Sequence, residues 1–459
     1  MHVLPALVLA AIGALPTPVP VDAAQARAID VIARGELHAH STPGVAIGIV
    51  EDGLLIYAHG FGSADLRRKA SVTPQTKFFT GAVSEQFSVA SVLLLLQDKK
   101  LSLTDRVTRF LPELSSERDV TIGQLLAHTS GLPDLSDLAG IPHDVSHALK
   151  WDDVLRVLNR TKAYAPPGTV FRRNRLDSAL AGIIVQRASG VPLSVFMQTR
   201  IFEPLIMTST FLAGDQGAAG FARGYERAAG RFREARTPDP SWLFGSNDVI
   251  STVDDLAKWD IGLPLLLNVD SVRTMWSSVN APGSALYGLG WVVDQRDGQT
   301  FVWRNGVLPG YHAMNAMLPE EHVAVIVLSN AGSPNAVSSV SPERLANRVL
   351  DIVAPVPQAH FANAIVRRAG EWLDRLERLD IDRTQLTPAF SQYLSDRVII
   401  QADLHSEGPL ESIVPVENFQ RSGDTVYVFD VRFRHGSMRY QFALTPDGKI
   451  DALLLQPSS

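Results

Sequence analysis

One stretch, Thr76 to Leu111 (TKFFTGAVSEQFSVASVLLLLQDKKLSLTDRVTRFL), restricts the fold of this chain more than any other. After a turn at Gly81, the residues Phe87, Ala90, Leu93, Leu94 and Leu96 describe a helix that is apolar nearly all round. Such a helix has no face to give to water and belongs in the centre of a domain. It is expected to stop at Lys99–Lys100, where cations suit a helix C-terminus, and Leu101 starts a new element. Ala82 and Glu85 stand i and i+3 beside the glycine turn, so they share one face of the first turn and can look into a cleft.

A chain of 459 residues is too long for a single hydrophobic core, which predicts two domains. With 46% hydrophobic and 20% charged residues the composition is that of an ordinary globular protein. A net charge of −6 gives no reason to expect nucleic acid or an anionic membrane as a partner. The absence of cysteine excludes disulfides, thiolate metal sites and a cysteine nucleophile.

Residues 1–23 read as a signal peptide: an apolar run to Leu15, then Pro16, Pro18 and Pro20, with cleavage after Ala23. Its leading end has no lysine or arginine, which keeps an uncleaved, tethering leader open as the alternative. Export to the periplasm or beyond is the expectation. No later run is long enough to form a transmembrane helix.

Ala24–Leu37 reads as an amphipathic helix, and Val45–Val50 with Leu54–Tyr57 as a hairpin closed at Asp52–Gly53. A helix is expected over Val120–Pro133, ended by Ser130–Gly131, and a less patterned helical stretch over Leu135–Leu158. Leu176–Ala188 reads as a long helix, and Ser251 or Thr252 as the cap of the next one. Tyr287–Trp291 opens a set of strands ending at Val323–Asn330, and a helix over Pro342–Val353 closes the domain. Pro355–Val–Pro357 marks the boundary, giving domains at 24–355 and 358–459. Beyond it, helices over Ala359–Leu379 and Thr387–Arg397 precede strands at Ile413–Phe419, Thr425–Arg434, Met438–Leu444 and Ile450–Leu455. That order is an α+β pattern, similar to a small cystatin- or NTF2-like domain.

The first stretch supplies Thr76, Phe78, Gly81, Ser84, Gln86 and Phe87, followed by Leu101, Ser102, Leu103, Asp105, Val107, Leu111 and Pro112. With Val120–Pro133, Pro167–Phe171 and Gly306–Tyr311, it resembles the serine β-lactamase and penicillin-binding-protein superfamily, in its esterase and D-aminopeptidase-like branch. The resemblance implies an α/β fold, an antiparallel sheet flanked by helices with an all-helical lobe, ahead of the C-terminal α+β domain. It also implies a serine hydrolase of esters or D-amino-acid peptides. At each position such chemistry needs, this sequence departs from the pattern. Ala82 stands for the nucleophilic serine and Glu85 for its lysine. In the gap-free register between Pro167 and Gly182, Arg173 stands for the tyrosine and Arg175 for the asparagine. Arg304 stands for the histidine of the third segment.

A serine hydroxyl is a poor nucleophile without a base, alanine has no nucleophilic atom, and arginine, with a pKa above about 12, is no base. The expectation is therefore a catalytically inactive relative whose cleft gathers Glu85, Arg173, Arg175 and Arg304. One arginine is expected to pair with Glu85, leaving up to two to meet an anionic small molecule, a cell-wall peptide or a protein partner. The competing reading is a dead cleft filled by long side chains that reach to water and bind nothing. Two further alternatives are an active hydrolase with a relocated nucleophile, Ser84 or Ser130, and a docking protein acting through the C-terminal domain. His143 and His147 have the spacing of a zinc helix but read as a surface loop, His38 and His40 are weaker still, and no cofactor or metal is expected. There is no Gly-x-Ser-x-Gly elbow, phosphate loop, dinucleotide fingerprint or internal repeat.

Overall fold

A computed structural model of the chain describes residues 21–39, 42–114, 119–141, 144–215, 220–228, 231–277, 287–296, 299–332, 341–354, 364–378, 380–396, 410–421, 423–434 and 436–457. The expected leader falls outside them up to residue 20. The chain divides into two compact units, Met1–Val293 with Thr300–Ala354, and Asp294–Gln299 with Pro355–Ser459.

The first unit is built on a seven-stranded sheet of order β3-β2-β1-β12-β11-β10-β9, of which it holds all but Asp294–Arg296 of β9 and Gln299 of β10. Its strands are β1 (Gly44–Glu51), β2 (Leu54–Asp65), β3 (Ala70–Ser71), β9 (Val292–Arg296), β10 (Gln299–Leu308), β11 (Tyr311–Leu318) and β12 (Val323–Ser329). β1 pairs antiparallel with both β2 and β12, placing Ile47 opposite His59 on one side and Val327 on the other. Both faces of these central strands are covered, which explains their unbroken apolar runs. Val45, Ile47 and Ile49 face a layer made by α1 (Ala23–Ala39) and α9 (Pro342–Val353), where Ile29, Leu345 and Val349 are buried. Ala46, Ile326 and Leu328 face the larger core around α2 (Glu85–Gln97) and α7 (Val253–Leu266).

α2 is buried along nearly its whole length, from Glu85 to Leu95, as its uniform apolarity requires. The helical lobe comprises α3 (Ile122–Leu126), α4 (Trp151–Arg160), α5 (Arg175–Ser189) and α6 (Leu193–Met197), with α8 (Val269–Met275) further along the chain. Small pairings complete the unit: β4 (Phe78–Phe79), β8 (Val249–Ser251) and β5 (Phe211–Leu212) in that order, and the hairpin β6 (Tyr225–Ala228) with β7 (Arg231–Glu234).

Two helical expectations need correction. The helix after Val120 ends at Leu126, because His128 takes a left-handed φ of 52° and turns the chain inward. Among the described residues between Leu135 and Leu158, only a short turn, Leu135–Asp137, and α4 are helical. Asp134 and Asp144 accept the backbone N–H of Ser136 and Ser146, each at 3.0 Å, and these local bonds compete with a helix. Elsewhere caps fall where the residue types suit them: Thr252 accepts from Asp255 N ahead of α7, and Ser341 from Arg344 N ahead of α9.

The second unit holds helices at Ala364–Arg378 and Pro388–Asp396 and an antiparallel meander of β13 (Leu410–Arg421), β14 (Asp424–Phe433), β15 (Ser437–Leu444) and β16 (Ile450–Pro457). Trp372, Leu373 and Leu376 pack with Phe429, Tyr440 and Phe442 to form its core. Among the described residues no single helix is long and apolar enough to cross a membrane.

Candidate functional site

A cavity of about 510 Å³ in the first unit brings together residues far apart in sequence, among them Ala82, Glu85, Arg173 and Arg175. Its floor is the turn Gly81–Ser84 leading into α2. This turn lies unusually close to β10. A Cβ on Gly306 would lie 2.1 Å from Thr80 O and 2.5 Å from Ala82 N, and Gly81 has a φ of 56°. Only glycine fits on both sides of that approach. Thr80 and Ser84 anchor the turn to β8: Thr80 Oγ1 donates to Val249 O at 2.9 Å, and Ser84 Oγ accepts from Val249 N at 2.9 Å.

Ala82 presents a methyl group to the cavity, and the Glu85 carboxylate stands beside it. The Arg304 guanidinium contacts that carboxylate through Nη2, donates from Nε to Ala82 O at 3.2 Å, and lies 5.4 Å from the Tyr287 ring. Burial lowers the Arg304 pKa to about 9, so the group still carries its charge at neutral pH. Tyr287 donates its hydroxyl to Glu85 Oε2 at 3.4 Å, and burial raises the Tyr287 pKa. His128 Nε2 is 3.6 Å from the same oxygen, while its Nδ1 is 3.3 Å from Asp177 Oδ2. Asp177 also accepts from Ser130 Oγ at 2.6 Å, and burial raises its pKa against these bonds. Arg304, Glu85, His128, Asp177 and Ser130 thus form a continuous buried chain that reaches the cavity at Glu85.

The sequence singled out Glu85, Arg173, Arg175 and Arg304, and the structure sorts them into different roles. Glu85, Arg173 and Arg175 line the cavity, whereas Arg304 is 1% exposed and lies behind it. Arg175 is tied to Asp134, Nη2 to Oδ1 at 3.3 Å, and its backbone N–H donates to Asp134 Oδ2 at 3.0 Å. Asn174 turns inward between the two arginines. Its Nδ2 donates to Leu132 O and Pro133 O, and its Oδ1 caps α5 at Leu176 N. Arg173 has no ion pair or hydrogen bond among the described residues. Its side chain lines the cavity and is exposed to solvent, and desolvation by the surrounding groups lowers its pKa.

Ser84 and Ser130 are buried, and both hydroxyls are engaged by backbone or carboxylate groups. Ser130 and His128 meet only through Asp177, each bonded to a different carboxylate oxygen, so they do not form a nucleophile–base pair. His147 sits in an exposed loop and pairs with Asp144 at 2.9 Å, and His143 and His40 lie outside the described residues. Among the described residues no three His, Asp or Glu side chains are grouped to hold a metal. Sequence reasoning missed His128 and Tyr287 as partners of Glu85, and Asp177 as the partner of His128. The polar cluster His128–Thr–Ser130 at a helix end was the available signal.

Comparison with known proteins adds the following. The family model described as Beta-lactamase matches residues 29–349. Protein flp of Staphylococcus aureus (strain COL) is 25% identical over 320 residues, covering 66% of this chain and 63% of that protein. The chain therefore spans less than two thirds of that relative's length. Among solved structures, the octameric penicillin-binding protein homologue from Pyrococcus abyssi superposes with a TM-score of 0.64 at 19% identity, covering 94% of this chain and 100% of that one. The D-amino acid amidase from Ochrobactrum anthropi SV3, complexed with D-phenylalanine, gives a TM-score of 0.63 at 23% identity over 72% of this chain and 99% of its own.

Proposed function

This chain belongs to the Beta-lactamase family, and from that premise we propose that it is a non-hydrolytic member whose cleft binds an anionic ligand. The observation that carries the reading is the pairing at the turn. A methyl group occupies the position that the resemblance gives to the nucleophile, and the residue at the base position is a carboxylate bonded to a buried arginine. Neither side chain can begin acyl transfer, which needs a nucleophilic atom and a group to take its proton. Arg173 and Arg175 support an anion at the cleft, because planar guanidinium groups match carboxylate and phosphate oxygens. The alternative of a relocated nucleophile has less support, since the Ser84 and Ser130 hydroxyls are buried and already bonded. Export by the apolar leader is part of the same proposal, and the N-terminal mass of protein recovered from the periplasmic fraction tests it.

The catalytic half is tested with the purified full chain, a fluorescent penicillin and p-nitrophenyl butyrate. The expected result is no covalent label and no turnover above the buffer rate. A stoichiometric covalent adduct, or turnover abolished by Ser84→Ala or Ser130→Ala, overturns it.

A further inference from the structure

We propose that the cleft selects a monocarboxylic acid with an apolar body, its carboxylate received by Arg173. The inference deepens the anion-binding reading and rests on it. Charge is the first argument. Two carboxylates face the cavity, and each already has its own arginine: Glu85 has Arg304 behind the wall, and Asp134 has Arg175. Further in, His128 and Asp177 are closed on each other. Arg173 is left as the cation without an ion-pair partner among the described residues. A single uncompensated positive charge, exposed at this cavity, matches a single negative charge. A phosphate or a polycarboxylate would bring an excess negative charge against Glu85 and Asp134.

Shape and polarity are the second argument. Most of the remaining lining is apolar, with Val145, Trp242, Leu243, Val307, Leu308 and Pro309 beside the amides of Asn247 and Asn305. Trp242 donates its indole N–H to His147 O at 2.8 Å, which satisfies its polar edge and fixes the ring in the wall. A cavity of about 510 Å³ holds a small organic molecule rather than a bare ion. The guanidinium fork takes both carboxylate oxygens, and the apolar wall takes the remainder of the acid.

The test is isothermal titration calorimetry on the full chain with octanoate, phenylbutyrate, phenylbutyramide, citrate and inorganic phosphate. Octanoate or phenylbutyrate is expected to bind, the uncharged amide and phosphate are not, and Arg173→Met is expected to weaken the acid by about tenfold or more. Removing Arg173 leaves no protein group without its partner, so the variant is expected to fold, and its melting temperature checks this. Arg173→Lys, which keeps the charge without the fork, is expected to fall between the two. Citrate or phosphate binding in preference to the monocarboxylates overturns this inference and leaves the anion-binding reading standing. Acid binding unchanged in Arg173→Met, or amide binding equal to acid binding, also overturns it. If no anion binds at all, the broader reading fails with it.

Discussion

The Arg304 guanidinium and the Glu85 carboxylate meet in the protein interior, with 1% and 4% of their side chains exposed. Each group is tolerable there because the other is present. Removing one leaves an uncompensated buried charge, which costs about 3–5 kcal/mol. Arg304→Met is therefore expected to lower the unfolding free energy by about that amount in urea titrations. Glu85→Leu combined with Arg304→Met is expected to recover most of it. A double variant as unstable as the sum of the singles would show that the two charges are not coupled.

Restoring the missing hydroxyl alone is expected to restore nothing. In Ala82→Ser the new oxygen would sit beside a carboxylate already engaged by Arg304 and Tyr287, and among the described residues no lysine or histidine lines the cavity. Intact-protein mass spectrometry after incubation with a penicillin is expected to show no added mass.

Asp260 gives a pH dependence of defined sign. Burial raises its pKa from 3.8 to about 8, against one hydrogen bond from Asn315 Nδ2 at 2.8 Å, and its second oxygen has no partner among the described residues. The folded state therefore holds a proton that the unfolded state releases, and stability falls as pH rises from the ordinary carboxyl range to about 8. Asp248, raised to about 7 by burial, acts in the same direction. Asp260→Asn is expected to flatten the high-pH limb and to stabilise the protein above pH 8 by about 2 kcal/mol or more. Denaturant midpoints measured across that range check it.

Ile206 occupies a left-handed conformation, φ 56°, on an exposed surface. A β-branched residue pays about 1–2 kcal/mol there, and glycine does not, although glycine frees the unfolded chain. Ile206→Gly is expected to raise stability by about 0.5–1 kcal/mol, read as a rise in the thermal midpoint.

Local pattern made much of this architecture legible. The helix at Pro342–Val353 was written in full by Ser341, a proline in the first turn and an apolar stripe, and the structure has those bounds. Asp52–Gly53 gave the first hairpin. The shorter helix after Val120 was not legible, because it depends on His128 turning inward toward Glu85 and Asp177 from other segments. The same limit applied to the cleft. The positions at the turn and ahead of α5 could be counted from motifs. Which arginine took Glu85 and which took Asp134 depended on side-chain packing between segments that no spacing records. Arg173 and Arg175 are two residues apart, yet one is paired and the other open.

The carboxylate of Glu85 lies in the first turn of α2, where the positive end of the helix dipole favours it. A lysine put there would set an ammonium against both that dipole and Arg304. Changing Arg304 first would instead strand the carboxylate. A single change at either Glu85 or Arg304 thus passes through a weakened protein, so on the proposed non-hydrolytic reading the pair acts as an evolutionary ratchet against reversal.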